Sequence, residues 1–248
     1  MLCSAKGLLA LGFCMVAASL SWIQFILPQW LVADNDIGAA SVVRSVGLWG
    51  LCIHNSSGTK DSCLAYFSAP NPKEVNLALL PPALANQSIC SYYLDNGDAL
   101  PLGGSYPKEI VNDAFLTRTC ESMGPSTLAF SITTAGLGTC MFVAYLVWSC
   151  AETTKSCLLL MSKVLAFAAL VANLLTITMW LVQQSSLRTG AGIKFGRSFI
   201  LSVASAMTYC ACIVSIGMLR LHEHHEKMRE KSLRLQSLRN LKKASSAV

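Results

Sequence analysis

Residues 46–52 read Val46-Gly47-Leu48-Trp49-Gly50-Leu51-Cys52, and after ten further residues stands Cys63. The segment Ser41–Cys52 is rich in Val, Leu and Trp with partial alternation, a pattern that predicts a strand. His54-Asn55-Ser56-Ser57-Gly58-Thr59-Lys60 has the residue types of a turn, and Leu64-Ala65-Tyr66-Phe67 opens a returning strand. A small sheet is therefore expected here, with Cys52 and Cys63 on neighbouring strands.

The surroundings of this sheet are set by where charge is missing. Of 248 residues, 53% are hydrophobic and only 13% charged, against about a quarter charged in soluble domains. Gly7–Ala33, Ser122–Ala151, Val164–Leu187 and Ser198–Leu219 contain no charged side chain, and each is at least 22 residues long. About 20 apolar residues suffice to span a hydrocarbon core, where a helix alone satisfies its own backbone. Helices are expected near 7–28, 126–149, 158–182 and 198–219. Lys6 before the first apolar run and Ala17-Ala18-Ser19 within it are compatible with a cleaved signal peptide, but the run continues to Pro28, the length of a span. Orientation follows from the basic residues beside the spans. The tail 220–248 carries eight Lys or Arg against three Glu, while the loop 29–125 carries nine acidic and five basic residues. The tail is thus expected in the cytoplasm with the N-terminus and the loop 150–157, and the loops 29–125 and 183–197 outside, although Arg188, Lys194 and Arg197 in the second of these run against the bias. The address implied is the plasma membrane, with the lipid bilayer as surroundings.

Independent marks agree with an outside location for the first loop. Asn55-Ser56-Ser57 and Asn86-Gln87-Ser88 are N-glycosylation acceptors, usable only from the lumenal side. Cys52, Cys63, Cys90 and Cys120 fall in the same loop, an even number that reads as two bridges in an oxidising compartment. Four cysteines allow three connectivities; short closures favour Cys52–Cys63 with Cys90–Cys120. The seven others sit in or near spans, where small apolar residues are buried readily. Cys150 and Cys157, flanking the short cytoplasmic loop, are candidates for reversible palmitoylation.

Trp30 just past the first span, then Gly47-Leu48-Trp49, Cys52 and Cys63, resembles the signature of the claudin superfamily: a Trp after span one, Gly-Leu-Trp-x-x-Cys, eight to ten residues, and Cys. Phe195-Gly196-Arg197-Ser198-Phe199-Ile200-Leu201 is similar to the Tyr-Gly-Trp-Ser-Phe-x-Leu stretch of peripheral myelin and epithelial membrane proteins and channel gamma subunits, with Arg197 in place of Trp. The resemblance implies an all-α membrane protein, a left-handed four-helix bundle carrying a small extracellular antiparallel sheet from the first loop, and it supports the Cys52–Cys63 bridge. Trp30 and Trp49 are placed at the lipid headgroups, where indoles are favoured. The arginine that claudins carry near the top of the second span corresponds to Arg118. The departure lies between Cys63 and the second span, where about 60 residues stand in place of the family's usual 20 or so. Asp95-Asn96-Gly97-Asp98, Pro101 and Gly103-Gly104 read there as turns of an added subdomain.

Other features are lesser. Ser246 and Val248 have the spacing of a class I PDZ ligand, so a PDZ scaffold is a candidate partner. Residues 220–243 present Leu221, Met228, Leu233, Leu235, Leu238 and Leu241 among basic residues, as an amphipathic helix on an anionic leaflet or as a continuation of the fourth span. His222, His224 and His225 with Glu223 are read as a solvated helix rather than a metal site. Lys163 snorkels to the inner surface, and Gly136, Gly138, Ser202, Ser205 and Ala206 favour close helix packing. No nucleophile with a base and no phosphate cradle is present, so neither enzyme, cofactor nor nucleic-acid partner is expected. Two functions are expected from the resemblance: cell–cell contact through apposed loops, with self-association in cis and in trans and an acidic first loop biasing paracellular ions towards cations; or an auxiliary subunit that traffics or gates a channel or receptor.

Overall fold

The computed structural model describes residues 5–33, 43–53, 62–70, 84, 86–96, 113–150, 156–187 and 193–245. Four of its helices are long and apolar enough to cross a membrane, over Gly7–Ile26, Met123–Cys150, Cys157–Leu187 and Arg197–Leu219. The chain is a multi-pass membrane protein. Among the described residues the helices are α1 (Ala5–Ile26), α2 (Ile89–Asn96), α3 (Asp113–Cys120), α4 (Met123–Cys150), α5 (Ser156–Gln183) and α6 (Arg197–Ser245). The strands are β1 (Leu31–Ala33), β2 (Val43–Val46), β3 (Gly50–Ile53), β4 (Ser62–Ala65) and β5 (Ile193–Phe195).

Helices α1, α4, α5 and α6 form the bundle, with α1 and α5 each lying between α4 and α6. Buried positions along α5 recur as Leu159, Ser162, Ala166, Ala169, Asn173 and Thr176, alternating steps of three and four. The same rhythm runs Ala10, Cys14, Ala17, Ser21, Gln24 on α1 and Ser198, Ser202, Ser205, Tyr209, Cys212, Ile216 on α6. A mean step of about 3.5 residues falls short of the helix's own 3.6, which is the pattern of left-handed supercoiling. Gly138 on α4 is one of the close contacts: a Cβ there would lie 3.5 Å from Ala18 Cα and overlap the Tyr209 hydroxyl. Gly136, expected to pack likewise, has nothing near it.

The span boundaries shift from expectation for identifiable reasons. Helix α1 stops at Ile26 rather than 28, because Pro28 has no N–H to continue it. Helix α4 begins at Met123, before Pro125, which is tolerated in a first turn whose N–H groups are unpaired anyway. A single 3-10 turn, Gln184–Leu187, prolongs α5 into what was expected to be loop. Helix α6 runs unbroken for 49 residues, since no Pro interrupts it after the apolar segment. At 1.5 Å per residue it is about 74 Å long. The tail is thus a continuation of the fourth span, with Leu221, Met228, Leu233 and Leu235 exposed.

The sheet has five antiparallel strands in the order β4-β3-β2-β1-β5. One expectation is corrected here. The segment read as one strand over 41–52 holds two strands in its described part, β2 and β3, because Gly47 N–H donates to Gly50 C=O at 2.8 Å and turns the chain through Leu48-Trp49. The small antiparallel sheet expected from the first loop takes one strand more: β5, from the second loop, pairs with β1 through Leu31–Phe195, Val32–Lys194 and Ala33–Ile193. One apolar core lies under the sheet, with Trp30, Leu51, Tyr66, Phe115 and Trp180 at its centre. A second fills the far half of the bundle, around Met141, Tyr145, Leu159, Tyr209 and Ile216.

Candidate functional site

The signature residues meet where the sheet sits on the end of α1. A helix end leaves its last carbonyls unpaired, and in an apolar setting each costs free energy unless another donor reaches it. Trp30 Nε1 donates to Gln24 C=O at 3.1 Å, Trp49 Nε1 to Ile26 C=O at 3.1 Å, and Ser198 Oγ to Leu27 C=O at 2.9 Å. Two indoles and a hydroxyl therefore finish the helix. This corrects the expected placement of Trp30 at the lipid headgroups: it is fully buried, edge-on to Trp180 (5.4 Å between centroids) and Phe199 (6.2 Å). Trp49 remains part-exposed.

The glycines around it are required by backbone proximity. A Cβ on Gly47 would come within 2.6 Å of Pro28 Cα. One on Gly50 would strike Leu64 C=O on β4, and one on Gly196 would strike Gln29 C=O. Leu48 is buried beneath the turn. Cys52 and Cys63 stand opposite one another on β3 and β4, Cα to Cα 4.0 Å, and are bonded. The disulfide holds the two outermost strands on one edge.

The second half of the first loop is not only turns. Helices α2 and α3 are joined by Cys90–Cys120 and by Tyr93 Oη, 2.7 Å from Thr117 Oγ1. Ser88 caps α2 through Ser91 N–H, and Cys90 N–H donates to Tyr66 C=O, tying α2 to the end of β4. Arg118 donates to Val182 C=O at 2.8 Å and Ser185 Oγ at 2.6 Å, finishing α5 as the indoles finish α1. Gln183 Nε2 donates to Thr119 Oγ1 at 2.7 Å. Phe115 and Leu116, wholly buried, carry this unit into the core under the sheet. None of these contacts was expected from sequence except the bridge; the signal that could have found α3 is Phe115-Leu116 set four residues before Thr119-Cys120, one helical turn.

Tyr66 Oη is buried with no hydrogen-bond partner, and burial pushes its phenol well above the ordinary range. Exposed apolar side chains at this end include Phe67, Leu94 and Phe195, the last stacked on Phe199 at 4.3 Å. Asn86 is exposed beside α2, while Asn55 lies outside the described residues. Cys150 and Cys157 are exposed, unbridged thiols at facing ends of α4 and α5. Ser246 and Val248 lie outside the described residues, and among those described no cluster of His, Cys, Asp and Glu could hold a metal. Compared with models of known protein families and with curated proteins, the chain matches none.

Proposed function

We propose that the chain is a claudin-like protein of cell–cell contacts in the plasma membrane, with both termini cytoplasmic and the sheet outside. What carries the reading is that Trp30, Gly47, Leu48, Trp49, Cys52 and Cys63 act as one device, seating a disulfide-held sheet on the end of the first span. A sheet fixed rigidly to its bundle presents its loops in one orientation, as contact between apposed membranes requires. The basic tail and the exposed Asn86 support the orientation. Side-by-side self-association would extend such contacts, Ser246–Val248 would recruit a PDZ scaffold, and acyl chains on Cys150 and Cys157 would hold the short loop to the inner leaflet.

A second reading, an auxiliary subunit of a channel or receptor, is favoured by the α2–α3 unit, which enlarges the face offered to a neighbour and exposes Leu94 on it. Expression in cells without native junctions separates the two. Enrichment at cell contacts with freeze-fracture strands is expected; diffuse surface staining with a co-purifying channel would replace the first reading by the second.

A further inference from the structure

The interior of the bundle is divided along its length. On the tail side the inward positions are mainly Ala, Cys, Met, Leu and Ile, whereas towards the sheet they are hydroxyls and amides. One layer takes a polar side chain from every span: Gln24 on α1, Ser131 on α4, Asn173 on α5 and Ser202 on α6, each wholly buried. Three of the four are joined directly. Gln24 Nε2 donates to Asn173 Oδ1 at 3.1 Å, Ser202 Oγ donates to the same oxygen at 3.0 Å, and Asn173 Nδ2 donates to Ser202 C=O at 2.9 Å.

Helix α4 is left out of this set. Ser131 stands level with Gln24, six residues along α1 and seven back along α4 from the close approach of Ala18 and Gly138. Its neighbours on the same face, Thr127 and Thr134, turn their hydroxyls onto their own helix at 2.7 and 2.9 Å. Ser131 Oγ does not, and it has no hydrogen-bond partner in the protein. Neither has Gln24 Oε1, the remaining acceptor of the layer. Two unpaired polar atoms in an apolar span are costly, yet these two lie on adjacent helices at one level, one an amide oxygen and the other a hydroxyl.

We propose that Gln24 Oε1 and Ser131 Oγ bind one internal water molecule, which ties α4 to the polar layer and closes it across all four spans. A water donates to the amide oxygen and exchanges a hydrogen bond with the hydroxyl, satisfying both with the two or more partners a buried water needs. An ion is a poorer fit, since among the described residues no charged side chain is buried in the bundle.

The test is a double-mutant cycle on the full chain in lipid nanodiscs, with unfolding equilibria measured for Ser131→Ala, Gln24→Leu and both together. With a bridging water, Ser131→Ala shifts the equilibrium about fivefold towards the unfolded state, and most of that shift disappears in the Gln24→Leu background. A dry layer gives the opposite sign, because removing an unpaired hydroxyl stabilises the fold, and gives additive effects. Should the variants fail to fold, the wild-type protein decides: magnetisation transfer from water to the Gln24 and Asn173 side-chain amide protons is expected by NMR, and its absence would overturn the proposal.

Discussion

Replacing Trp30 with Phe isolates the part played by an indole N–H at the end of a membrane helix. The side chain is wholly buried, so no water takes over the Gln24 carbonyl when the donor is lost. An acceptor left unpaired in such a place costs about 1–3 kcal/mol. The smaller ring keeps an edge towards Trp180 and Phe199 but opens a gap, adding about 1 kcal/mol. Together, Trp30→Phe should cost about 3 kcal/mol, on the order of a hundredfold in the unfolding equilibrium. Trp49→Phe removes a bond of the same 3.1 Å length from a part-exposed residue. There water or a headgroup can reach the Ile26 carbonyl, and the expected cost is about 1 kcal/mol. The assay is thermal unfolding of the two variants in nanodiscs, followed by circular dichroism. Equal losses for the two variants, or a Trp30→Phe protein as stable as wild type, would refute the capping argument and leave the tryptophans as bulk packing.

Three further outcomes follow from particular contacts. Tyr66→Phe removes a buried hydroxyl that has no partner, so it should stabilise the fold or leave it unchanged, against the usual direction for a core substitution. In wild type the same phenol keeps its proton in the folded state above its ordinary pKa of 10, whereas the unfolded chain releases it there, so Tyr66's contribution to stability falls as pH rises beyond about 10 and is flat below; denaturant titrations of wild type and Tyr66→Phe across that range check the sign. Breaking the Cys90–Cys120 bridge, which closes a sequence separation of 30, should cost about 4 kcal/mol, against about 3 kcal/mol for Cys52–Cys63 with a separation of 11; unfolding of the two paired Cys→Ser variants ranks them, and the reverse order would show that strand geometry outweighs loop entropy. Gly50→Ala puts a methyl group onto Leu64 C=O and must part β3 from β4, so intracellular retention is expected, read by surface biotinylation, and normal delivery would count against the close approach.

What sequence reveals here depends on whether the physics is local. The four spans are legible because exclusion of charge acts residue by residue, and a window free of Lys, Arg, Asp and Glu needs no partner to be recognised. The Cys52–Cys63 pair and the strands that carry it are legible for a similar reason, since the two cysteines lie close together in the chain, but the turn through Leu48-Trp49 is not, because the apolar residues around it read on as one strand. The strand β5 is not: Ile193-Lys194-Phe195 is three residues long, and it becomes a strand only by pairing with β1 from across the molecule. Helices α2 and α3, eight residues each, are too short for a periodic signal, and Asp95-Asn96 pulls the reading of α2 towards a turn. Trp30 was assigned to the headgroups on a preference of indoles in general. Its actual place is decided by the carbonyls of α1, which no composition-based argument sees.

The same distinction explains why the bundle interior is polar near the sheet and apolar near the tail. Lipid gives no hydrophobic reward for choosing one helix neighbour over another, so packing and hydrogen bonds must choose. On the tail side, shape suffices: Ala10, Ala17, Ala166 and Ala169 let helices approach around Met141 and Tyr145. On the sheet side the chain must also place α1 and α6 closely enough for Ser198 to reach Leu27 C=O and for β5 to pair with β1. Ser21 with Ser205 and Tyr209 (3.1 and 2.9 Å), and Asn173 with Gln24 and Ser202, fix that geometry in a way that a slip of one residue would break. Each bond contributes modestly to stability, since unpaired helices in lipid find other partners. Their consequence is register, and register is what lets two loops far apart in the chain build one sheet.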